Sequence, residues 1–236
     1  MLRTTVTSLG LFALGAIGVT ATAQQAGQAE PVEPAPQAQV QVPTAIEQAL
    51  GGFHVAELKN AEGGVVTVQN QQGDNAVVAF LEPAAAEEAQ ENAAIADLTV
   101  SALPLLSMLA SWNGPVVFEG STSAIGHAST LQPEVEAFGA PVFFVLADGN
   151  ETQVDAGTGP ITPILLSFED ASEMASQITE QGVEAEKIEI VPIEFGAVLK
   201  ELSVMEQDQG YRVFTHPDTV SLIQAARASE EETSQR

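Results

Sequence analysis

Between Thr44 and Ala228 the apolar positions switch between two periods, and the switches lay out the elements of the chain. Runs of Val, Phe and Ile predict strands, because β-branched and aromatic side chains suit a pleated surface. These are Val65-Val66-Thr67-Val68, Val77-Val78-Ala79-Phe80 and Pro141-Val142-Phe143-Phe144-Val145-Leu146. The last run is continuously apolar, which predicts a strand covered on both faces. Elsewhere the spacing is helical. Ala102, Leu105, Leu106 and Leu109 recur at i, i+3, i+4 and i+7, as do Phe195, Val198, Leu199 and Leu202, so each quartet makes one helical stripe. Strand segments Leu98 to Val100 and Ile188 to Ile193 lead into these stripes. Ala171, Met174, Ala175 and Ile178 form a further packing face. Its start carries Ser167-Phe168-Glu169-Asp170, a hydroxyl three residues before a carboxylate, and Thr215-His216-Pro217-Asp218 carries the same signal. Pro83 and Pro217 fall in first turns, where a missing N–H costs nothing.

The same order of pieces occurs twice. In each half a strand reaches a glycine turn, at Gly63 and Gly149, and a second strand enters a helix. Phe80-Leu81-Glu82-Pro83 and Leu166-Ser167-Phe168-Glu169 lie equally far from those glycines. The helical stripes match next, and Gly114-Pro115-Val116-Val117-Phe118 then matches Gly210-Tyr211-Arg212-Val213-Phe214. Three matches in one order predict a duplication. The expected fold is α/β and internally duplicated, with two pseudo-twofold halves, 44–128 and 130–226, each of mixed β-strands covered by helices. Each half reads strand, turn, strand, helix, strand, helix, strand. A short helix precedes it, at Thr44 to Leu50 and at Pro133 to Phe138.

Outside this span the patterning stops. Met1-Leu2-Arg3, the apolar run Val6 to Val19 and Ala21-Thr22-Ala23 make up a secretory signal with its cut after Ala23. The run is short for a bilayer span, and no Cys stands at the cut to carry a lipid. Residues 24–43, rich in Gln, Ala and Pro, read as a flexible linker, and 229–236 as an acidic polar tail. The expected compartment is the periplasm.

Charge narrows the function classes. Seven Lys+Arg stand against 32 Asp+Glu, a formal charge of −25, which repels phosphate backbones and anionic headgroups. Nucleic acid and anionic membrane surfaces are therefore not expected partners. The absence of cysteine removes disulfides, thiolate nucleophiles and Cys-type metal sites. Between Asn60 and Glu186 there is no Lys or Arg, so nothing there pairs with a phosphate, and Gly157-Thr158-Gly159 lacks the rest of a phosphate loop. His54, His127 and His216 stand apart from one another and from metal-ligand spacings. Asp148-Gly149-Asn150-Glu151 reads as a hairpin turn, since the Gly and Glu positions of a calcium loop are missing. No serine sits in a Gly-x-Ser-x-Gly elbow. The carboxylate pairs Glu87-Glu88 and Glu169-Asp170 read as solvated helix faces. The sequence thus predicts neither an enzyme nor a cofactor or metal site.

A resemblance adds to this reading. Pro141-Val142-Phe143-Phe144-Val145, the Asp148-Gly149-Asn150 turn, Ser167-Phe168-Glu169-Asp170-Ala171, Ile190-Val191-Pro192-Ile193 and the Phe195 to Leu202 stripe resemble the Tic twenty-two-like family. This family comprises the small soluble subunit of the chloroplast inner-envelope Tic translocon and its bacterial periplasmic relatives. Phe80-Leu81-Glu82-Pro83-Ala84 is similar to the corresponding piece of the family's first half, and the likeness covers nearly the whole of 44–228. It implies a pseudo-twofold α/β protein lying between two membranes, chaperone-like in preprotein passage or outer-membrane protein biogenesis. It brings no catalytic residues. The chain departs from the family in its cation-free middle and in Asp155 to Pro163, which reads as an insertion between strand and helix.

The leading expectation is a non-enzymatic factor that shields apolar segments of unfolded or precursor polypeptides, with outer-membrane assembly or translocation machinery as a further partner. Candidate client-binding residues are Phe143 and Phe144 on the continuous strand, and Leu105, Leu106, Val198 and Leu199 on the stripes. The same residues are natural core. An alternative from another class is a small-ligand-binding or hydrolase domain with only a fold-level likeness, and a third is a structural envelope-interaction protein.

Overall fold

The computed structural model describes residues 44–69, 73–93, 95–157, 159–205 and 207–234. The signal and linker read from 1–43 lie outside them, as do the last two residues of the tail. Chain order is α1 (Thr44–Ala49), β1 (His54–Lys59), β2 (Thr67–Gln69), β3 (Asn75–Phe80), α2 (Pro83–Asn92), β4 (Thr99–Pro104), α3 (Leu105–Ser111) and β5 (Val116–Glu119). There follow α4 (Thr122–Leu131), β6 (Pro141–Ala147), β7 (Asn150–Glu151), β8 (Val154–Asp155), β9 (Pro160–Ile164), α5 (Phe168–Glu180), β10 (Ile188–Glu194), α6 (Phe195–Val204), β11 (Tyr211–Val213) and α7 (Pro217–Ser234). The fold is mixed α/β.

Strand pairing follows the same plan on both sides of the molecule. β4 runs antiparallel along the whole of β1, from His54↔Pro104 to Lys59↔Thr99, and β10 does the same along β6, from Glu194↔Pro141 to Ile188↔Ala147. β5 lies parallel to β3, and β11 lies parallel to β9. β3 joins β1 at Ala56↔Phe80, and β9 approaches β6 through the bridge Phe143↔Leu165. β6 turns into β7 through Asp148 and Gly149, whose φ angles are 51° and 73°. Two successive positive φ values give the tight turn whose twist matches that of a hairpin, as Asp-Gly predicts.

Side-chain alternation divides the interior into three clusters. On β6, Val142 and Phe144 face a central core while Phe143 and Val145 face an outer one, so the strand is covered on both sides, as its unbroken apolar run predicts. On β3, Val77 and Ala79 face the same central core, and Val78 and Phe80 face the second outer cluster beneath α2. The central core takes residues from all three sheets, β2-β3-β1-β4 with β5, β10-β6-β7 and β11-β9-β8, together with α1, α3 and α6. At its centre Phe195, with no exposed surface, makes edge contacts with Phe53 and Phe118 at ring distances of 5.9 and 5.0 Å.

The helices cross between the sheets. α2 packs on β1 and β4, and α5 on β6 and β10. α4 follows β5 yet lies on β6 and β10, and α7 follows β11 yet returns to β1 and β4. The return is tied by Thr215, whose Oγ1 donates to the Gly52 carbonyl and accepts from His54 N, both at 3.1 Å. The Tyr211 hydroxyl donates to Glu151 Oε2 at 2.7 Å and links β11 to β7, and burial pushes its pKa up.

Several expectations need correction. Pro133 to Phe138 is not helical; the helix before β6 is α4, which starts at Thr122 after its cap Ser121 and stops before Pro133, a residue that disfavours helix immediately ahead of it. Ala102 lies in β4, held in register with Ala56, so the α3 stripe begins at Leu105 and gains Met108. Leu165 pairs with Phe143 and faces the outer cluster, while Leu166 faces the central core. The supposed insertion at Asp155 to Pro163 contains most of β9. Thr215 does not cap α7, since its hydroxyl holds Gly52 and His54; the Asp218 N–H donates instead to His216 Nδ1 at 3.3 Å. The polar stretch after Ser229 continues α7 to Ser234.

Replacing Phe195 by Ala is expected to cost about 3–5 kcal/mol. Denaturant unfolding would show one transition shifted to lower concentration. A loss below about 1 kcal/mol would contradict the central placing of this ring.

Candidate functional site

Where α3 and α6 leave the strands before them, the central core is incompletely covered. Leu105 and Phe195, the first residues of the two helices, are fully buried, and their N–H groups donate to the carbonyls of Phe53 and Ala140 at 3.0 and 2.9 Å. Each helix thereby begins pinned at the start of a neighbouring strand. One face then goes inward, Met108 on α3 and Val198 and Leu202 on α6. The flank is half-buried: Leu106, Leu109 and Trp112 on one side, Leu199 and Met205 on the other, all packed against the same core. Trp112 Nε1 donates to the Pro115 carbonyl at 2.9 Å, which satisfies the indole N–H and fixes the ring without burying it. Beyond the flank Val204 is 72% exposed, as is Phe214 by 54%.

This geometry sorts the sequence candidates. Phe143 and Leu105 have no exposed surface, and Phe144 and Val198 are buried, so these four are core in this conformation. Phe143 belongs to the outer cluster beneath α4 and α5; Phe144, Leu105 and Val198 belong to the central one. Leu106 and Leu199 are the two that reach the surface, each half-buried on the flank of its own helix against the central core. Leu109 stood in the stripe but not among the candidates, and Trp112 and Met205 were missed; extending the stripes by one turn past Leu109 and Leu202 reaches these two.

A second feature is polar. The first turns of α2 and α4 meet at Glu82, a buried residue whose Oε1 accepts from Ser121 Oγ at 3.1 Å. Ser121 also caps α4 by accepting from Ala124 N at 3.2 Å, and Thr122 N donates to Glu88 Oε2 at 3.2 Å. His216, just before α7, lies within electrostatic reach of Glu82, as does Glu169 of α5. His127 stacks on Phe168 at 4.3 Å with Nε2 3.5 Å from Glu169. Burial pushes the Glu82 pKa above its ordinary value, against the pull of the Ser121 bond and His216. Burial raises Glu119 likewise. Ser121 has both its proton and a lone pair engaged and is almost fully buried, so the arrangement clasps helix starts and leaves no free nucleophile there. The signal for α4 was the cap residue Ser121 before an Ala/Ile-bearing run. Among the described residues no group of three or more His, Asp or Glu could hold a metal, and no helix is long and apolar enough to cross a membrane.

The Glu82 clasp sets a pH dependence. A carboxyl whose folded pKa is raised stabilises the fold while protonated; that contribution is full below the unfolded glutamate value and is lost as pH rises through the folded one. Glu82→Gln should therefore melt higher than the parent at pH 7, with the difference vanishing below about pH 4. Melts across that range check the sign, and a variant that melts lower at neutral pH would contradict it.

No protein-family model matches the sequence. No curated protein matches it either. Among solved structures it is similar to Tic22 from Anabaena, described as a protein of protein transport, at 20% identity and TM-score 0.56, over 77% of this chain and 96% of that one. It is also similar to Tic22 from Plasmodium falciparum, at 13% identity and TM-score 0.56, over 78% and 98% of the two chains. The chain has the Tic22 fold.

Proposed function

We propose that this protein is a non-enzymatic, chaperone-like factor in protein transport, shielding apolar segments of unfolded or precursor polypeptides in the periplasm. The observation that carries the reading is the half-buried rim at Leu106, Leu109, Trp112, Leu199 and Met205. Such a rim contributes affinity through apolar burial without requiring one sequence in the client. The acidic surface keeps a loaded complex dispersed and favours basic clients. The fold shared with Tic22, described in Anabaena as protein transport, agrees with it. Export rests on the signal pattern at 1–23, and a place in outer-membrane protein biogenesis, beside its assembly or translocation machinery, rests on the family likeness.

An internal duplication belongs to this reading. It is supported by the antiparallel β1–β4 and β6–β10 pairs, the parallel β3–β5 and β9–β11 pairs, and the reciprocal crossing of α4 and α7. Two like halves give the rim two like sides. The polar cluster of Glu82, Ser121 and His216 favours the other reading, a hydrolase or small-ligand site, because converging polar groups and a raised carboxyl mark such sites. Its engaged serine is the reason it ranks second.

The test is suppression of aggregation of a denatured, strand-rich polypeptide. The protein should delay aggregation, and the double variant Leu106→Ser, Leu199→Ser should lose the delay while giving up only about 1 kcal/mol per site in stability. Phe144→Ala should instead lose about 3–5 kcal/mol, as a core residue does. Full protection by the folded double variant would contradict the proposal.

A further inference from the structure

The two long strand pairs end in edges of opposite character. β10, outermost beside β6, carries Pro192 at its middle and Glu189 and Glu194 along it, devices by which natural sheets prevent further pairing. β4, outermost beside β1, has none of them. Its six residues, Thr99 to Pro104, pair with β1 throughout, carry no charge, and place their one proline at the last position. Among the described residues no strand pairs with its outer edge. Antiparallel pairing uses only alternate N–H and C=O groups on each side of a strand, so the outward set is available to another chain. Thr99 is exposed, and Val100 to Leu103 are half-buried.

We propose that the outer edge of β4 adds a strand from an extended, basic polypeptide segment. The inference rests on the polypeptide-client reading and names how such a client is held. Leu103 packs against the central core and leads directly into α3, so a strand beside β4 sets alternate side chains down next to Leu106 and Leu109, while backbone bonds supply affinity that tolerates any sequence. Charge selects the occupant. A second copy of this chain would bring −25 against −25, whereas a client flanked by Lys or Arg meets a stretch from Asn60 to Glu186 that has no cation of its own. Lys59, opposite Thr99, is ion-paired to Glu57 at 3.0 Å and so offers little repulsion.

Hydrogen exchange of the full chain tests this with a synthetic peptide that alternates Val and Thr between pairs of lysines. At a peptide concentration about ten times its Kd, outward amides among residues 99–103 should exchange about tenfold more slowly. The same peptide methylated on alternate backbone nitrogens, which cannot form the ladder, should give no such protection, and a glutamate-flanked version should bind more weakly. Protection confined to α3 and α6, with the methylated peptide binding equally well, would overturn the edge proposal and leave the rim reading standing. Protection of β4 that grows with protein concentration without peptide would overturn it in favour of a second copy. Failure of every peptide to bind, measured by anisotropy, would overturn the client reading beneath it.

Discussion

Neither half of this molecule can close its own core. The β1–β4 and β6–β10 pairs each have an outer face covered by helices, but their inner faces meet in one core, and the contact is concentrated where Phe195 of α6 touches Phe53 and Phe118. Apolar burial is the main favourable term in folding, so a shared interior makes the two halves one cooperative unit. The crossing of α4 and α7 reinforces this, because each half's outer cover is partly supplied from the other. The same constraint leaves the rim. α3 and α6 must start at the core, where Leu105 and Phe195 are pinned, and seven and ten residues of helix cannot cover both flanks as they leave.

The short ion pairs are local, Lys59 with Glu57 within β1, Lys187 with Glu184 and Arg212 with Asp208, all at or under 3.1 Å, whereas hydrogen bonds join elements. The buried Glu82 and Ser121 hold helix starts, Thr215 holds the chain's return, and Tyr211 holds β7. The surface carries many carboxylates and, on α3 and α6, half-buried apolar side chains. That combination suits a protein whose ligand is apolar, extended and poorly defined in sequence.

Much of the fold was legible because its signals are local. The unbroken Pro141 to Leu146 run, the Asp148-Gly149 turn, the Ser167 cap and the Ala171 to Ile178 face each follow from side-chain chemistry within a few residues. Position along a sheet is less local. Ala102 belongs to a strand because β1 holds it there, and Leu165 turns to the outer cluster because it pairs with Phe143. The helix α4 was missed because its packing residues are Ala124 and Ala128, small side chains that barely register as a stripe yet fit a close approach to β6. The site was half legible for a related reason. Phe143 and Leu106 are equally apolar in sequence, and only the three-dimensional cover over Phe143 separates core from rim.

The central claim is that unfolded polypeptide docks on the rim between the two halves. Photo-crosslinkers placed singly at Leu106 and Leu199, with a control at exposed Gln177 on α5, would test it in the cell during synthesis of exported proteins. The account predicts crosslinks from both rim positions to several newly exported, not yet folded chains, and few from Gln177. Equal yields from all three positions, or rim crosslinks only to one folded partner, would contradict it.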